Sequence, residues 1–158
     1  GIITNAEFRS NLRQYLPDNI SDHQIDDAWN AMLMGIPSHR VDFLRKVAEK
    51  YRIFLLSNTN RIHIDAFTQY NDEKFGKGYF EDIFEYCYFS SDIAMRKPDA
   101  EIFEFVLTEN GLTKEETIFI DDSIQHVQGA LSTGIYAELL KVEAGETIEN
   151  KYAYLIEN

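Results

Sequence analysis

The sequence predicts an α/β fold in which a parallel sheet is covered by helices on both faces. From Arg52 onward, short apolar segments alternate with segments of helical periodicity. The apolar segments are continuous, as expected for strands that are buried on both faces. Before Arg52, apolar residues recur at four-residue spacing, which is typical of amphipathic helices. The chain therefore combines a helical N-terminal third with an α/β remainder.

Three helices are predicted in the first third, each preceded by a residue that can cap its N-terminus. They cover residues 6–16, 23–34 and 41–51, and their predicted caps are Asn5, Ser21 and Ser38. Gly35-Ile36-Pro37 separates the second helix from the third, because the residue before a proline disfavours the helical conformation. This joint divides the chain into residues 1–36 and residues 37–158.

Strands and further helices are predicted in the remainder. The strands cover residues 53–56, 86–89, 118–120 and 135–140, and the helices cover residues 100–109 and 124–132. The stretch from Phe67 to Phe80 could line the site entrance, but its interpretation as a solvated loop that packs its Tyr and Phe side chains locally is favoured. Ligands of parallel sheets bind beyond the carboxyl ends of the strands, so the residues that follow each strand are the first candidates for a site.

Composition limits the partners of the protein. The chain has 158 residues, 44% of them hydrophobic, and a formal net charge of -12 at pH 7. Nucleic acids and anionic membranes would repel so acidic a chain, so we expect small-molecule partners and neither nucleic acid nor membrane. The single cysteine, Cys87, cannot form an internal disulfide and is predicted to be a small buried residue of a cytoplasmic protein.

Polar groups follow three of the predicted strands. Ser57 and the amides after it can bind a phosphate oxygen, and Lys97 can neutralise phosphate charge. Asp121 and Asp122 are two adjacent carboxylates whose repulsion a magnesium ion would relieve. Taken singly, each group is explained as well or better by a helix cap or a solvated lysine. Their joint placement at one edge of the sheet favours a phosphate and magnesium site.

The sequences around these groups resemble three motifs of a known family. Leu-Leu-Ser-Asn-Thr-Asn at 55–60, Met-Arg-Lys-Pro-Asp at 95–99 and Phe-Ile-Asp-Asp-Ser at 119–123 resemble the second, third and fourth motifs of haloacid dehalogenase-like hydrolases. The resemblance implies that residues 37–158 form a Rossmann-like, three-layer core without its first strand. It also implies that residues 1–36 are part of the helical cap that relatives insert after that strand. Among members, the sequence is most similar to bacterial phosphatases of sugar phosphates such as glucose 1-phosphate.

The resemblance implies magnesium-dependent hydrolysis of a small phosphate monoester. On that resemblance, Ser57 and the Asn58 amide would hold the phosphate and Lys97 would neutralise it. Asp122 would bind magnesium, with Asp121 in contact with the ion or behind its ligands. His126, one helical turn beyond Asp122, stands where relatives commonly have Asn. It is left open whether it orients the acidic loop, caps the helix or lies at the surface.

The first motif of the family, an apolar strand that ends in Asp-x-Asp, does not occur in this sequence. In the family, the first of those aspartates attacks phosphorus to form an aspartyl-phosphate, and the second protonates the leaving oxygen. In relatives this strand lies between the strands that end here at Ser57 and at Asp121. Because the chain also begins with Gly1 instead of Met, we expect an upstream segment to complete the sheet. The 158 residues alone are expected to be inactive.

Proteins of two other classes fit parts of this pattern. A catalytically inactive relative that binds a phosphorylated ligand or a protein partner would also lack the nucleophile. A receiver domain of two-component signalling also combines an acidic pair, a hydroxyl and a lysine on a doubly wound sheet. In a receiver domain the acidic pair comes first in the chain, whereas here the hydroxyl comes first and the acids last.

Overall fold

The computed structural model describes residues 3–157, which form a mixed fold of helices and parallel strands. The predicted α/β class is confirmed. The strands are β1 (Phe54–Ser57), β2 (Tyr86–Phe89), β3 (Ile118–Asp121) and β4 (Tyr136–Leu139). The helices are α1 (Asn5–Arg13), α2 (Asp22–Asn30), α3 (Ser38–Ala48), α4 (Arg61–Phe75), α5 (Tyr79–Ile83), α6 (Ser90–Ile93), α7 (Ala100–Asn110), α8 (Ile124–Ser132) and α9 (Ile148–Lys151).

The strands form two separate parallel pairs. β1 pairs with β2, with Leu55 opposite Cys87, and β3 pairs with β4, with Ile120 opposite Glu138. Within residues 3–157, no backbone ladder joins β1 to β3. The parallel sheet predicted from the sequence is therefore present as two halves.

Each half has a strand edge whose main-chain groups point away from its partner strand, and within residues 3–157 no other strand pairs with that edge. The carbonyl of Ile53 accepts a hydrogen bond from the N–H of Glu85 at 2.9 Å, and the carbonyl of Asp121 accepts one from Leu140 at 2.8 Å. Successive residues of a strand direct their main-chain groups to opposite sides. Three residues beyond Ile53, Leu56 therefore points its main-chain groups away from β2. In the same way, the main-chain groups of Ile120 point away from β4.

Side chains on one face of the strands connect the two halves. Ile102 and Phe103 of α7 pack with Val127 of α8 in a fully buried cluster. Leu56 of β1 and Phe119 of β3 both pack against this cluster. The cluster therefore spans the two strand pairs, although no main-chain hydrogen bond does so in the described residues.

The opposite face is covered by α3 and the C-terminal residues. Phe43 and Val47 of α3 form a buried cluster with Tyr152, which is 2% exposed. Ile53, just before β1, and Ile120 of β3 pack against it. Helices thus cover both faces of the strands, as the continuous apolar segments predicted.

The N-terminal helices are close to their predicted positions, but two of the three caps differ. Ser21 caps α2, because its side chain accepts a hydrogen bond from the N–H of Gln24. Thr4, instead of Asn5, caps α1. Ser38 is the first residue of α3 instead of its cap.

The stretch from Phe67 to Phe80 is helical, so its interpretation as a solvated loop was wrong. It lies in α4 and the start of α5, which are separated only by residues 76–78. Tyr79 is only 1% exposed. Phe67 packs against Phe80 and Phe89, with ring centroids 5.6 and 5.8 Å apart. Phe67, Tyr79 and Phe80 of this stretch therefore contribute to the core, whereas Tyr70 is half exposed.

Two buried polar residues explain why the amphipathic pattern of α4 was missed. His63 and Asn71 are 5% and 2% exposed, and they share the buried face of α4 with Ile62 and Ile64. Polar residues on the inner face of a helix weaken the periodicity of its apolar residues. The buried face of α4 could therefore not be recognised from hydrophobicity alone.

The two N-terminal helices pack against each other, and α2 also packs against α4. The guanidinium of Arg9 donates to both carboxylate oxygens of Asp26, at 2.8 and 2.6 Å. The ring of Trp29 in α2 lies 4.8 Å from the ring of Phe8 and 5.4 Å from that of His63. None of the helices within residues 3–157 has the length and apolar character needed to cross a membrane.

Candidate functional site

Ser57 is the last residue of β1 and is partly buried. Its hydroxyl makes no hydrogen bond to any other residue of the range 3–157. Three residues later, the side chain of Asn60 caps α4 by accepting a hydrogen bond from the N–H of His63 at 3.1 Å. The Ser57 hydroxyl and the main-chain amide of Asn58 are therefore the groups before α4 that could hold an anion at the N-terminus of a helix.

The side chain of Asn58 binds the main chain of Lys97. Its Nδ2 donates to the carbonyl of Lys97 at 2.8 Å, and its Oδ1 accepts from the N–H of Lys97 at 2.9 Å. Both ends of the carboxamide are used in this way, so the side chain clamps the Lys97 loop and the main-chain amide of Asn58 stays the predicted phosphate donor. The sequence predicted a role for the amide and did not predict one for the side chain.

Ser90 fixes the loop after β1 from the neighbouring strand. Ser90 follows β2 directly, and its Oγ accepts from the N–H of Thr59 at 2.9 Å and donates to the carbonyl of Thr59 at 3.0 Å. The position of Ser90 at the end of a strand was the signal that could have identified it. Its hydroxyl is used within the fold, so it organises the loop and leaves the phosphate to other groups.

The ammonium of Lys97 lies between the ends of β1 and β3. Lys97 is 8% exposed. Its Nζ donates to the carbonyl of Leu56 at 2.8 Å and to Oδ2 of Asp121 at 2.6 Å. Leu56 precedes Ser57, and Asp121 precedes Asp122. An ammonium has three N–H donors, so one remains for a phosphate oxygen.

The loop that carries Lys97 is packed closely against α8. The peptide bond between Lys97 and Pro98 is cis. A Cβ atom placed on Gly129 of α8 would lie 2.3 Å from the carbonyl oxygen of Pro98. Only a glycine allows so close an approach, so Gly129 helps to set the position of Lys97.

Asp121 accepts hydrogen bonds from three donors. Oδ2 accepts from Lys97, and Oδ1 accepts from the N–H of Ser123 at 2.8 Å and lies 2.9 Å from Nδ1 of His126. Burial alone would raise the pKa of Asp121. The hydrogen bonds from Lys97 and Ser123, the charge of Lys97 and the contact with His126 lower this pKa below its ordinary value overall. Asp121 is therefore an ionised carboxylate whose oxygens are already hydrogen-bonded.

Asp122 differs from its neighbour in being exposed. Its carboxylate has no hydrogen bond or ion pair with any other residue between 3 and 157. Magnesium prefers oxygen ligands and is commonly bound by one or two carboxylates together with phosphate and water. Among the described residues, no three or more His, Cys, Asp or Glu side chains are grouped to hold a metal. Asp122, with Asp121 behind it, fits a magnesium ion bound in this sparse way.

Two open grooves lie away from these residues. One, of about 400 Å³, lies beside Arg52 and Glu85. The other, of about 530 Å³, runs along the outer face of α4 near Arg61. Neither groove includes Ser57 or Lys97, so the candidate site is defined by its converging polar groups.

The chain matches the family model described as haloacid dehalogenase-like hydrolase over residues 20–134. It belongs to the haloacid dehalogenase-like hydrolase family. The resemblance inferred from the three motifs is thus confirmed, and the receiver-domain alternative is set aside. Membership does not test the individual residues, so the roles of Ser57, Asn58, Lys97, Asp121 and Asp122 stay predictions.

Solved structures of this family resemble the whole of the described fold. A family enzyme from Bacteroides thetaiotaomicron, crystallised with magnesium and inorganic phosphate, is 40% identical to this chain. That match covers 96% of this chain and 75% of that chain, with a TM-score of 0.88. A predicted family hydrolase from Porphyromonas gingivalis is 27% identical, covers 100% of this chain and 76% of that chain, and has a TM-score of 0.85.

A curated relative has a named activity. The D-ribitol-5-phosphate phosphatase of Bacteroides thetaiotaomicron is 24% identical over 127 residues. The match covers 80% of this chain and 61% of that protein. The haloacid dehalogenase-like chain described here therefore spans about three fifths of the length of this curated relative.

Proposed function

We propose that this chain supplies the phosphate- and magnesium-binding part of a phosphatase that hydrolyses a small phosphate monoester. One observation carries the proposal. The ammonium of Lys97 donates to the Leu56 carbonyl at 2.8 Å and to the Asp121 carboxylate at 2.6 Å. It therefore joins the loop that begins at Ser57 to the loop that contains Asp122, so a phosphate oxygen and its counter-cation can meet there.

The phosphate would be held by neutral donors on one side and by a cation on the other. The hydroxyl of Ser57 and the main-chain N–H of Asn58 would each donate to a phosphate oxygen. The remaining N–H of Lys97 would donate to another phosphate oxygen, and the ammonium would offset the negative charge of the phosphate. Fixed donors of this kind stabilise the charge that develops during phosphoryl transfer without having to reorganise.

Asp122 would hold magnesium at the exposed end of β3. When bound, the ion would supply positive charge next to the phosphoryl oxygens and orient the phosphate. The presence of magnesium and inorganic phosphate in the Bacteroides thetaiotaomicron relative supports this part of the proposal. The carboxylate of Asp121 would remain behind Asp122, bonded to Lys97 and Ser123.

The attacking carboxylate would come from a further strand of the complete protein. Its place is suggested by the strand edges of β1 and β3, whose main-chain groups at Leu56 and Ile120 point away from their partners. A strand inserted there would pair with both halves of the sheet, and its carboxyl end would lie next to Lys97. In this proposal residues 37–158 are the core without that strand, and residues 1–36 are part of the cap.

The substrate class is proposed from chemistry and from relatives. A net charge of -12 disfavours polyanionic partners such as nucleic acids, whereas a small phosphate ester needs only local positive charge. The name of the curated relative suggests a phosphorylated sugar or polyol. The cytoplasmic location expected from the single Cys87 stays a prediction.

The test is phosphate release from p-nitrophenyl phosphate, with and without Mg²⁺. It would compare the 158-residue chain with a longer chain that carries an upstream strand ending in Asp-x-Asp. We expect turnover only in the longer chain and only with Mg²⁺. Lys97→Met should lower the rate by roughly a hundredfold or more, given the typical cost of removing one group that stabilises developing charge. Lys46→Met, at an exposed position of α3, is the matched control and should leave the rate unchanged.

Two outcomes would contradict the proposal. Turnover by the 158-residue chain alone would mean that the nucleophile lies within it. Binding of inorganic phosphate without any turnover in the longer chain would favour the alternative of a catalytically inactive phospho-ligand-binding protein.

A further inference from the structure

His126 occupies a place in the site that the proposed function does not use. It is the third residue of α8, its side chain is 22% exposed, and its Nδ1 lies 2.9 Å from Oδ1 of Asp121. We propose that His126 is a positioning residue: it holds Asp121 as the buried counter-ion of Lys97 and so leaves Asp122 to contact the metal. This inference rests on the proposed function.

The hydrogen bonds of Asp121 argue against direct metal contact. A carboxylate has about four lone-pair positions, two on each oxygen. Oδ1 uses both of its positions, on Ser123 and His126. Oδ2 lies 2.6 Å from the ammonium of Lys97, so a divalent cation bound to Oδ2 would be placed beside another positive charge. The exposed Asp122 carboxylate has neither restriction.

The geometry also defines what His126 contributes. An ionised carboxylate can only accept hydrogen bonds, so the nitrogen that faces Asp121 must carry the hydrogen. Lys97 donates to one oxygen and His126 to the other, which fixes the plane of the carboxylate from two sides. A capping or surface role explains this less well, because the ring nitrogen contacts a side chain that is only 8% exposed.

The mutational test is a titration of the 158-residue chain with Mg²⁺ in the presence of inorganic phosphate, followed by NMR of the backbone amides. The variants are Asp122→Asn, Asp121→Asn, His126→Leu and the double variant of the last two positions. His126→Asn, which keeps an N–H donor on a shorter side chain, provides a second variant if His126→Leu does not fold. The control is His23→Leu, at a site on α2 that is 84% exposed.

We expect Asp122→Asn to abolish saturable Mg²⁺ binding. Asp121→Asn and His126→Leu should each weaken it by about tenfold, the lower end of the range for residues that orient a metal ligand. Because His126 acts through Asp121, the double variant should bind Mg²⁺ no more weakly than Asp121→Asn does. Unchanged Mg²⁺ affinity in His126→Leu would overturn the inference. So would a double variant in which the losses of the two single variants add in full. Complete loss of Mg²⁺ binding in Asp121→Asn, as in Asp122→Asn, would overturn it as well.

A second measurement does not depend on the metal. In the unsubstituted chain, the imidazole nitrogens of His126 should show hydrogen on Nδ1, and the Lys97 ammonium should give a slowly exchanging NMR signal. His126→Leu or His126→Asn should shift the Lys97 signal, and His23→Leu should not. Hydrogen on Nε2 alone would refute the positioning role. Absence of Mg²⁺ binding with these signals present would instead count against the proposed function.

Discussion

Gly129 sets the distance between α8 and the loop of Lys97. Glycine to alanine substitution inside a helix normally stabilises a protein by up to about 1 kcal/mol. At Gly129 the opposite is expected, because the added Cβ would meet the main-chain oxygen of Pro98 at 2.3 Å. We predict that Gly129→Ala lowers the free energy of unfolding by about 1 to 3 kcal/mol, measured by urea denaturation. Gln128→Ala, exposed on the same helix, should change it by less than about 0.5 kcal/mol.

The same substitution should weaken phosphate binding, since the Pro98 carbonyl belongs to the residue next to Lys97. A stable Gly129→Ala protein with unchanged phosphate affinity would show that the loop can move away without affecting the site.

Cys87 is predicted to react slowly while the protein is folded. Burial, and to a lesser extent the charge of Glu81, raises the pKa of its thiol to about 12. The thiolate is the reactive form, so its fraction stays small near pH 8 and increases about tenfold for each unit of pH up to that value. In the folded protein, the rate of reaction with Ellman's reagent should still be increasing between pH 8 and pH 9.5. In guanidinium chloride the reaction rate should level off above the ordinary thiol pKa of about 8.5. A rate that levels off between pH 8 and pH 9.5 in the folded protein would contradict the raised pKa.

Individual residues of the candidate site were predictable to different degrees. Ser57 and the Asp121-Asp122 pair were proposed because strand ends are marked by the change from apolar to polar residues, and Lys97 because Pro98 can open the next helix; their roles stay predictions. The clamp that Asn58 forms on Lys97 could not, because it joins residues 39 positions apart through a contact that has no local pattern. His126 could be singled out because it lies one helical turn beyond Asp122. Its contact with Asp121 could be recognised only in the three-dimensional structure.

Among the elements, the two strand pairs make a sharp prediction about hydrogen exchange. In β1 the amide of Leu55 points toward β2, whereas that of Leu56 points away. In β3 the amide of Phe119 points toward β4, whereas that of Ile120 points away. We expect Leu56 and Ile120 to exchange faster than their sequence neighbours when followed by NMR in D₂O.

A longer chain with the additional strand should slow exchange at Leu56 and Ile120 and leave Leu55 and Phe119 unchanged. Equal protection at all four positions in the 158-residue chain would mean that the strand edges are already paired, which would remove the support for an inserted strand.

The elements also show where hydrophobic periodicity was sufficient. α7 and α8 could be placed within about a residue, because their apolar faces pack on one buried cluster and a glycine follows each helix. α4 was missed because its inner face carries His63 and Asn71. Burial of polar side chains depends on the surroundings that the complete fold provides, so it cannot be read from composition.

For the molecule as a whole, binding of metal and phosphate should increase stability. A ligand that binds only the folded state at about 100 times its Kd stabilises that state by about 2.7 kcal/mol. For a chain of this size we therefore expect Mg²⁺ with inorganic phosphate to raise the Tm by roughly 5 to 10 °C, measured by differential scanning calorimetry. Asp122→Asn should abolish the increase, and addition of EDTA should reverse it. An equal increase with Ca²⁺ or with NaCl of matched ionic strength would contradict a specific site.

The class of the fold was predictable from the alternation of apolar strands and helices, and the family from the order of three motifs. The division of the sheet into two pairs is consistent with the absent first motif, whose strand lies in relatives between the strands that end here at Ser57 and Asp121, and could not be predicted from the residues of the strands themselves. Continuous apolar segments indicate burial on both faces of a strand, but they contain no information on which edges are paired.

The edge of β1 that has no strand partner has a consequence beyond the proposed chemistry. Main-chain hydrogen bonding at a strand edge is indifferent to sequence, so an edge that can receive its proper strand can also receive a foreign one. At high concentration, a second molecule could offer such a segment. We therefore expect the 158-residue chain to self-associate at high concentration, and a lower protein concentration or a short complementary peptide should suppress it.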